Sequence, residues 1–148
     1  MSSDELTGLY QQLILDHARE PHGRVTLETV TSSSHQINPT CGDEVTLSVE
    51  VRDEQIVALG WEGHGCTISQ ASASLLAQLL DGATVPEARS YLDDFRVAMR
   101  SRGEIELDED RFGDAIALNG VSRYIARVKC AMLAWVALED AMAKTPAA

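Results

Sequence analysis

The stretch Asn38-Pro39-Thr40-Cys41-Gly42-Asp43, running directly into Glu44-Val45-Thr46-Leu47-Ser48-Val49-Glu50-Val51-Arg52, decides how this chain is read. Its first part sets a thiol and a carboxylate two residues apart, between a proline that stiffens the approach and a glycine that lets the chain turn. In its second part Val45, Leu47, Val49 and Val51 alternate with polar residues, which predicts a strand with one buried face and one wet face. Two potential metal ligands therefore stand at the head of a well-patterned strand.

Working outward, Asp53-Glu54-Gln55 reads as a polar turn and Ile56 to Trp61 as the return strand of an antiparallel hairpin. Cys41 lies at the start of this hairpin and Cys66 just past its end, so antiparallel pairing brings the two together. Gly63-His64-Gly65 reads as a flexible link between them. Upstream, residues 31–37 form a weaker strand candidate.

Helical signals occupy most of the remainder. Residues 3–19 carry Leu6, Leu9, Tyr10, Leu13, Ile14 and His17 at helical spacing, with Ser2 and Glu5 as a capping box and Pro21 and Gly23 as stops. A second helix starts at Thr67 and ends at Gly82, which puts Cys66 at or just before its first turn. Thr84, Pro86 and Glu87 open a third, ending near Arg100 before Gly103. Residues 101–113 read as a charged, exposed connection, and Asp114 to Leu118 as a short helical piece ending at Asn119-Gly120. The last helix is expected from about Val128 to Ala143, apolar nearly all round at its start, with Cys130 in its first turn and a frayed tail from Lys144 to Ala148. Strands early and helices late predict an α+β fold: a small antiparallel sheet of about three strands with helices packed on one face, forming a single domain over residues 1–148.

The bulk properties fit that expectation. A chain of 148 residues, 45% hydrophobic and 24% charged, is long enough to bury a real core. A net charge of −11 argues against nucleic acid as a ligand; it reads as a solvated acidic surface that also suits a basic protein partner. No apolar run reaches the ~18 residues of a membrane span, and the start Met1-Ser2-Ser3-Asp4-Glu5 lacks the basic and apolar regions of a secretory signal, so a cytoplasmic location is expected. Three cysteines in a reducing compartment do not suggest a disulfide framework.

A thiol at a helix start is favoured as thiolate by the helix dipole and the free backbone N–H groups. Three thiolates and a carboxylate together make a tetrahedral set suited to Zn²⁺. Without a cation, four crowded negative groups raise one another's pKa. Binding a divalent ion relieves that conflict and releases protons. No Cys-x-x-Cys pair is present, and spacing alone leaves two readings of Cys66 and Cys130 open: metal ligands, or small buried residues.

Three motifs in order carry a resemblance over nearly the whole chain. They are Asn38-Pro39-Thr40-Cys41-Gly42-Asp43; Glu62-Gly63-His64-Gly65-Cys66-Thr67-Ile68-Ser69-Gln70-Ala71-Ser72-Ala73-Ser74; and Ala126-Arg127-Val128-Lys129-Cys130. Together with Leu9-Tyr10, Asp16-His17 and Pro21, they resemble the U-type iron–sulfur cluster assembly proteins, whose fold is SufE/IscU-like. The scaffold branch of that family, IscU-like, has a His immediately before the third Cys, where this chain has Lys129. The SufU-type branch has an Arg three positions before that Cys, matched by Arg127, and a longer stretch between the second and third Cys, as here. The resemblance to the SufU-type branch implies Zn²⁺ on Cys41, Asp43, Cys66 and Cys130. It further implies that Cys41 accepts sulfur from the persulfide of a pyridoxal-phosphate-dependent cysteine desulfurase of the SufS type, feeding downstream Suf scaffold components. A zinc-bound thiolate is a poor nucleophile. The resemblance implies that a partner His replaces Cys41 on the metal, and the mobile Pro/Gly loop makes Cys41 the ligand expected to leave. Arg127 is then expected to stabilise the freed thiolate or persulfide by charge, or else to serve as a surface ion pair.

Two rival expectations use the same ligands. One is a scaffold holding iron in a transient [2Fe–2S] cluster; the other is a structural zinc site with no exchangeable ligand. Among the other singled-out residues, His64 beside Cys66 is a conceivable ligand but reads as an exposed loop residue. His17 reads as packing or capping, His22 and His35 as surface, and Trp61 and Trp135 as core.

Overall fold

The computed structural model describes residues 3–145. Helix α1 (Ser3–Arg19) precedes strands β1 (Ser32–Asn38), β2 (Asp43–Arg52) and β3 (Gln55–His64), then helices α2 (Thr67–Leu80), α3 (Val85–Arg100) and α4 (Glu109–Phe112). A run of tight 3-10 turns, Gly113–Arg123, leads into α5 (Ile125–Ala143). The strands form one antiparallel sheet in the order β1-β2-β3. The fold is thus α+β, as the strand-then-helix order predicts.

The alternation in β2 does what its pattern dictates. Val45, Leu47 and Val49 are buried on one face, where α5 packs across β1 and β2 and α2 packs against β3. Trp61 and Trp135 are both core residues, and Trp135 stacks on Phe95 of α3 with ring centroids 4.0 Å apart. Together with the aliphatic core, burial of this aromatic surface stabilises the fold at ~25 cal/mol per Å² of apolar area. Trp61 is tied down further: its N–H donates to the Gly23 carbonyl and its Nε1 to the His22 carbonyl. The segment after α1 thereby closes the free edge of β3.

Several expected boundaries differ. The return strand runs on to His64, so Gly63 and His64 are paired with β2 and do not form a flexible link. The last helix starts at Ile125, about one turn before the expected Val128, because Tyr124 takes the N-cap position. The connection 101–113 is not merely exposed: Leu107 and Phe112 are core residues, and Asp108 caps the short α4. The short helical piece beyond it is a longer 3-10 run that places Ala115, Leu118 and Val121 in the core, and Asn119 Oδ1 accepts the Leu107 N–H. The stripe of α1 is buried only towards its end, for Leu6 and Leu9 are exposed while His17 is buried. His17 Nδ1 lies 2.7 Å from Ser74 Oγ, pinning α1 to α2. The capping box of Ser2 and Glu5 involves a residue outside those described. Of the tail, Lys144 pairs with Asp140 and Thr145 donates to the Ala141 carbonyl, so these two residues are held rather than frayed.

Candidate metal centre

Strand β2, the loop before it, and helices α2 and α5 carry the predicted ligands. Asp43 opens β2 and is 1% exposed. Register explains its neighbours: Glu44 pairs with His64 at the end of β3, so the chain leaving β3 must turn past Asp43 before α2 begins. Gly65 makes that turn at φ +154°, and the Cys66 N–H then donates to Asp43 Oδ1 at 2.8 Å. Cys66 is the N-cap of α2, as expected; its Sγ accepts the Ser69 N–H at 3.5 Å. Ser69 is a buried member of the site that the sequence reading passed over. Its signal was its place three residues after the cap, the usual partner position.

Cys41 is exposed in the loop between β1 and β2, with its Sγ 3.1 Å from Asp43 Oδ2. Cys130 is buried, and its Sγ lies 3.7 Å from that of Cys41. Cys41, Asp43 and Cys130 each place a ligand atom within 4.8 Å of the others. Cys66 Sγ, exposed and 3.6 Å from Asp43 Oδ2, stands outside that group of three and also contacts its own helix end. The donor spacing fits a metal: two thiolates ~2.3 Å from a tetrahedral Zn²⁺ stand ~3.8 Å apart, and a thiolate and a carboxylate oxygen ~3.5 Å apart.

The electrostatics of the metal-free cluster follow from burial and hydrogen bonding. Burial by itself would push the Asp43 carboxyl up. Hydrogen bonds from the thiols of Cys130 and Cys41 and from the Cys66 N–H and thiol outweigh it and hold Asp43 below the ordinary carboxylate value. Cys130 is pushed strongly upward, first by burial and then by its hydrogen bonds to Asp43, Cys66 and Cys41. This corrects the expectation that Cys130 is a thiolate prepared by a helix start. With α5 beginning at Ile125, Cys130 sits in its second turn, beyond the free N–H groups, and its Sγ faces the Ala126 carbonyl at 3.6 Å. Its thiol is kept protonated until a cation displaces the proton.

Arg127 lies in the first turn of α5, three residues before Cys130, with its guanidinium carbon 4.9 Å from the centre of the Tyr124 ring. It lines a groove of about 690 Å³ with Tyr10 and Ile14 of α1, Thr67 at the start of α2, and Arg123. Thr67 directly follows Cys66 in the chain, so the groove adjoins the start of α2. His22 and His35 are exposed, and His64 points to Glu44, 3.2 Å away.

Residues 9–131 match the NifU-like N terminal domain family. The chain belongs to that family. It is 38% identical over 141 residues to the zinc-dependent sulfurtransferase SufU of Bacillus subtilis, covering 94% of this chain and 92% of that protein. It is also 38% identical over 136 residues to the iron–sulfur cluster assembly scaffold protein IscU of Thermotoga maritima, covering 92% of this chain and 94% of that one. Among solved structures it resembles the SUF-system protein FiSufU of Fervidobacterium islandicum, with a TM-score of 0.73 and 34% identity over 88% of this chain and 94% of that one. Overall identity does not separate a SufU from an IscU here, so the finer assignment rests on the site. No described helix is long and apolar enough to cross a membrane.

Proposed function

We propose that this chain is a zinc-dependent sulfurtransferase of iron–sulfur cluster assembly that accepts sulfur on Cys41. In this reading Cys41, Asp43, Cys66 and Cys130 hold Zn²⁺, and the donor is a pyridoxal-phosphate-dependent cysteine desulfurase of the SufS type, with Suf scaffold components as recipients. The observation that carries the proposal is the contrast within the ligand set. Cys41 is exposed on a loop, whereas Asp43 and Cys130 are buried in a strand and a helix, and Cys66, also exposed, is held at a helix cap with its N–H bound to Asp43. A bound Zn²⁺ would keep the thiolates deprotonated and tie the loop to both helices.

The chain's own part in the reaction is nucleophilic. The Cys41 thiolate, swung outward on its loop, attacks the outer sulfur of the donor's persulfide. A new S–S bond forms to Cys41, the donor's S–S bond breaks, and the donor cysteine leaves as a thiolate. Cys41 is left as a persulfide and no external oxidant is consumed. Asp43 stays behind as the fixed anchor, and Arg127 at the groove supplies positive charge towards the anionic sulfur.

The test is to incubate the protein with an active desulfurase and cysteine and to map added sulfur by mass spectrometry. One sulfur atom on Cys41, absent in Cys41→Ser, is the expected result. No adduct, or an adduct on Cys66 or Cys130 instead, would overturn the proposal. A second reading, a scaffold that assembles a [2Fe–2S] cluster on the same ligands, is favoured by the equal identity to the Thermotoga IscU. It requires that iron and sulfide yield a coloured protein whose cluster passes intact to an acceptor.

A further inference from the structure

We propose that His35, Glu44 and His64 form a second site, on the sheet face opposite the thiols, for a divalent first-row transition-metal ion. Successive residues of a strand point to opposite faces, so Glu44 looks away from the helices that bury Asp43. Strand pairing then sets its neighbours. His64 lies directly opposite Glu44 on β3. On the other side Ile37 of β1 pairs with Glu44, and His35, two residues along, shares its face. Two imidazoles from the two flanking strands thus converge on one central carboxylate, within the reach of cross-strand and diagonal pairs.

Both imidazoles already touch the carboxylate, while ligand atoms taken one from each of the three residues do not yet all lie within 4.8 Å of one another. His35 Nε2 lies 3.0 Å from Glu44 Oε2 and His64 Nε2 lies 3.2 Å from Glu44 Oε1. A nitrogen and an oxygen bound at ~2.0–2.2 Å to one ion at neighbouring positions stand ~2.9–3.5 Å apart, so each histidine is already at ligand spacing from the carboxylate. The rings approach different oxygens, and an ion would draw them together. The side chains are 50%, 36% and 74% exposed for His35, Glu44 and His64, so that rotation meets little packing. Two imidazoles and a carboxylate with open coordination positions suit Zn²⁺ or Fe²⁺ rather than Mg²⁺ or Ca²⁺, which prefer all-oxygen sets. The donor set holds no sulfur, so it is chemically distinct from the thiol centre, although Glu44 adjoins Asp43 and His64 lies two residues before Cys66. This inference does not depend on the sulfur-transfer reading.

The test uses protein loaded with one equivalent of zinc and then dialysed against Co²⁺, with both metals counted. Wild type is expected to keep its zinc and bind one further equivalent of Co²⁺, with the weak visible bands of nitrogen and oxygen ligation. His35→Ala/His64→Ala is expected to lose the second equivalent while keeping the zinc, and Glu44→Gln to bind it about tenfold or more weakly. His64→Ala alone serves as a milder check should the double variant fold poorly. A wild type that takes up no further cobalt, or variants that take it up undiminished, would overturn the site.

Discussion

Two glycines adjoin cysteines at this centre, and they do opposite things. Gly42 follows Cys41 at φ +75°, and a Cβ placed on it would meet nothing within 4 Å. Gly65 precedes Cys66 at φ +154°, and a Cβ there would collide with the Asp43 carboxylate and come within 2.8 Å of Ser69 Oγ. Both supply a backbone conformation that other residues adopt at a cost. In the first case the conformation opens a turn in free space. In the second it lets the chain pass against the anchoring carboxylate while the Cys66 N–H binds it. A single local device thus leaves one thiol room to move and locks the other to the sheet.

The contrast can be broken from the locked side first. Gly65→Ala is expected to cost about 2–4 kcal/mol in the metal-free protein, from backbone strain plus the displaced Asp43 hydrogen bonds, and to weaken zinc binding with it. Urea unfolding and a competitive zinc chelator would measure the two effects. A loss below about 1 kcal/mol would mean that the carboxylate is not wedged there. On the open side, Gly42→Ala is expected to cost only about 1 kcal/mol, the penalty of a left-handed alanine, with zinc retained. A cost matching that of Gly65→Ala would erase the distinction between the loops.

The smallest effect concerns Cys130, the thiol held most deeply. Its folded-state pKa is raised above the ordinary value of 9.0, so folding favours the protonated thiol. Its contribution to stability is therefore fully present below pH 9.0 and is lost as pH rises from there towards the folded-state value. Melting of the metal-free protein across alkaline pH should fall more steeply for wild type than for Cys130→Ala. Parallel curves would show that burial of this thiol carries no proton linkage.

How far the site was legible depended on where each residue's environment comes from. Asp43 could be placed at the head of a buried strand because Val45, Leu47, Val49 and Val51 impose a period of two on their own neighbourhood. Cys66 could be placed at a helix start because the apolar pattern resumes just after it. Cys130 was misplaced by about a turn, since nothing polar at Tyr124 announces a cap and the apolar residues from Ala131 onward draw the expected boundary inward. That shift reverses its chemistry, from a dipole-assisted thiolate to a buried thiol. The 3-10 run Gly113–Arg123 was compressed to a short piece because its core residues Ala115, Leu118 and Val121 follow a tighter spacing than an α-helix. His35 looked like an isolated surface residue because its partner Glu44 is two strand positions off its own cross-strand neighbour Thr46.

By itself the sequence determined the order of strands and helices, the buried face of β2, the family motifs and the types of ligand available. Each of these rests on residues within a few positions of one another, where periodicity and capping act. Only the tertiary structure decided that Asp43 is the buried hub of the thiols, that Cys130 lies beyond the reach of its helix end, and that two histidines from separate strands share Glu44. Those outcomes depend on burial and on contacts between chain-distant residues, and strand register and helix packing settle both only once the whole core has closed.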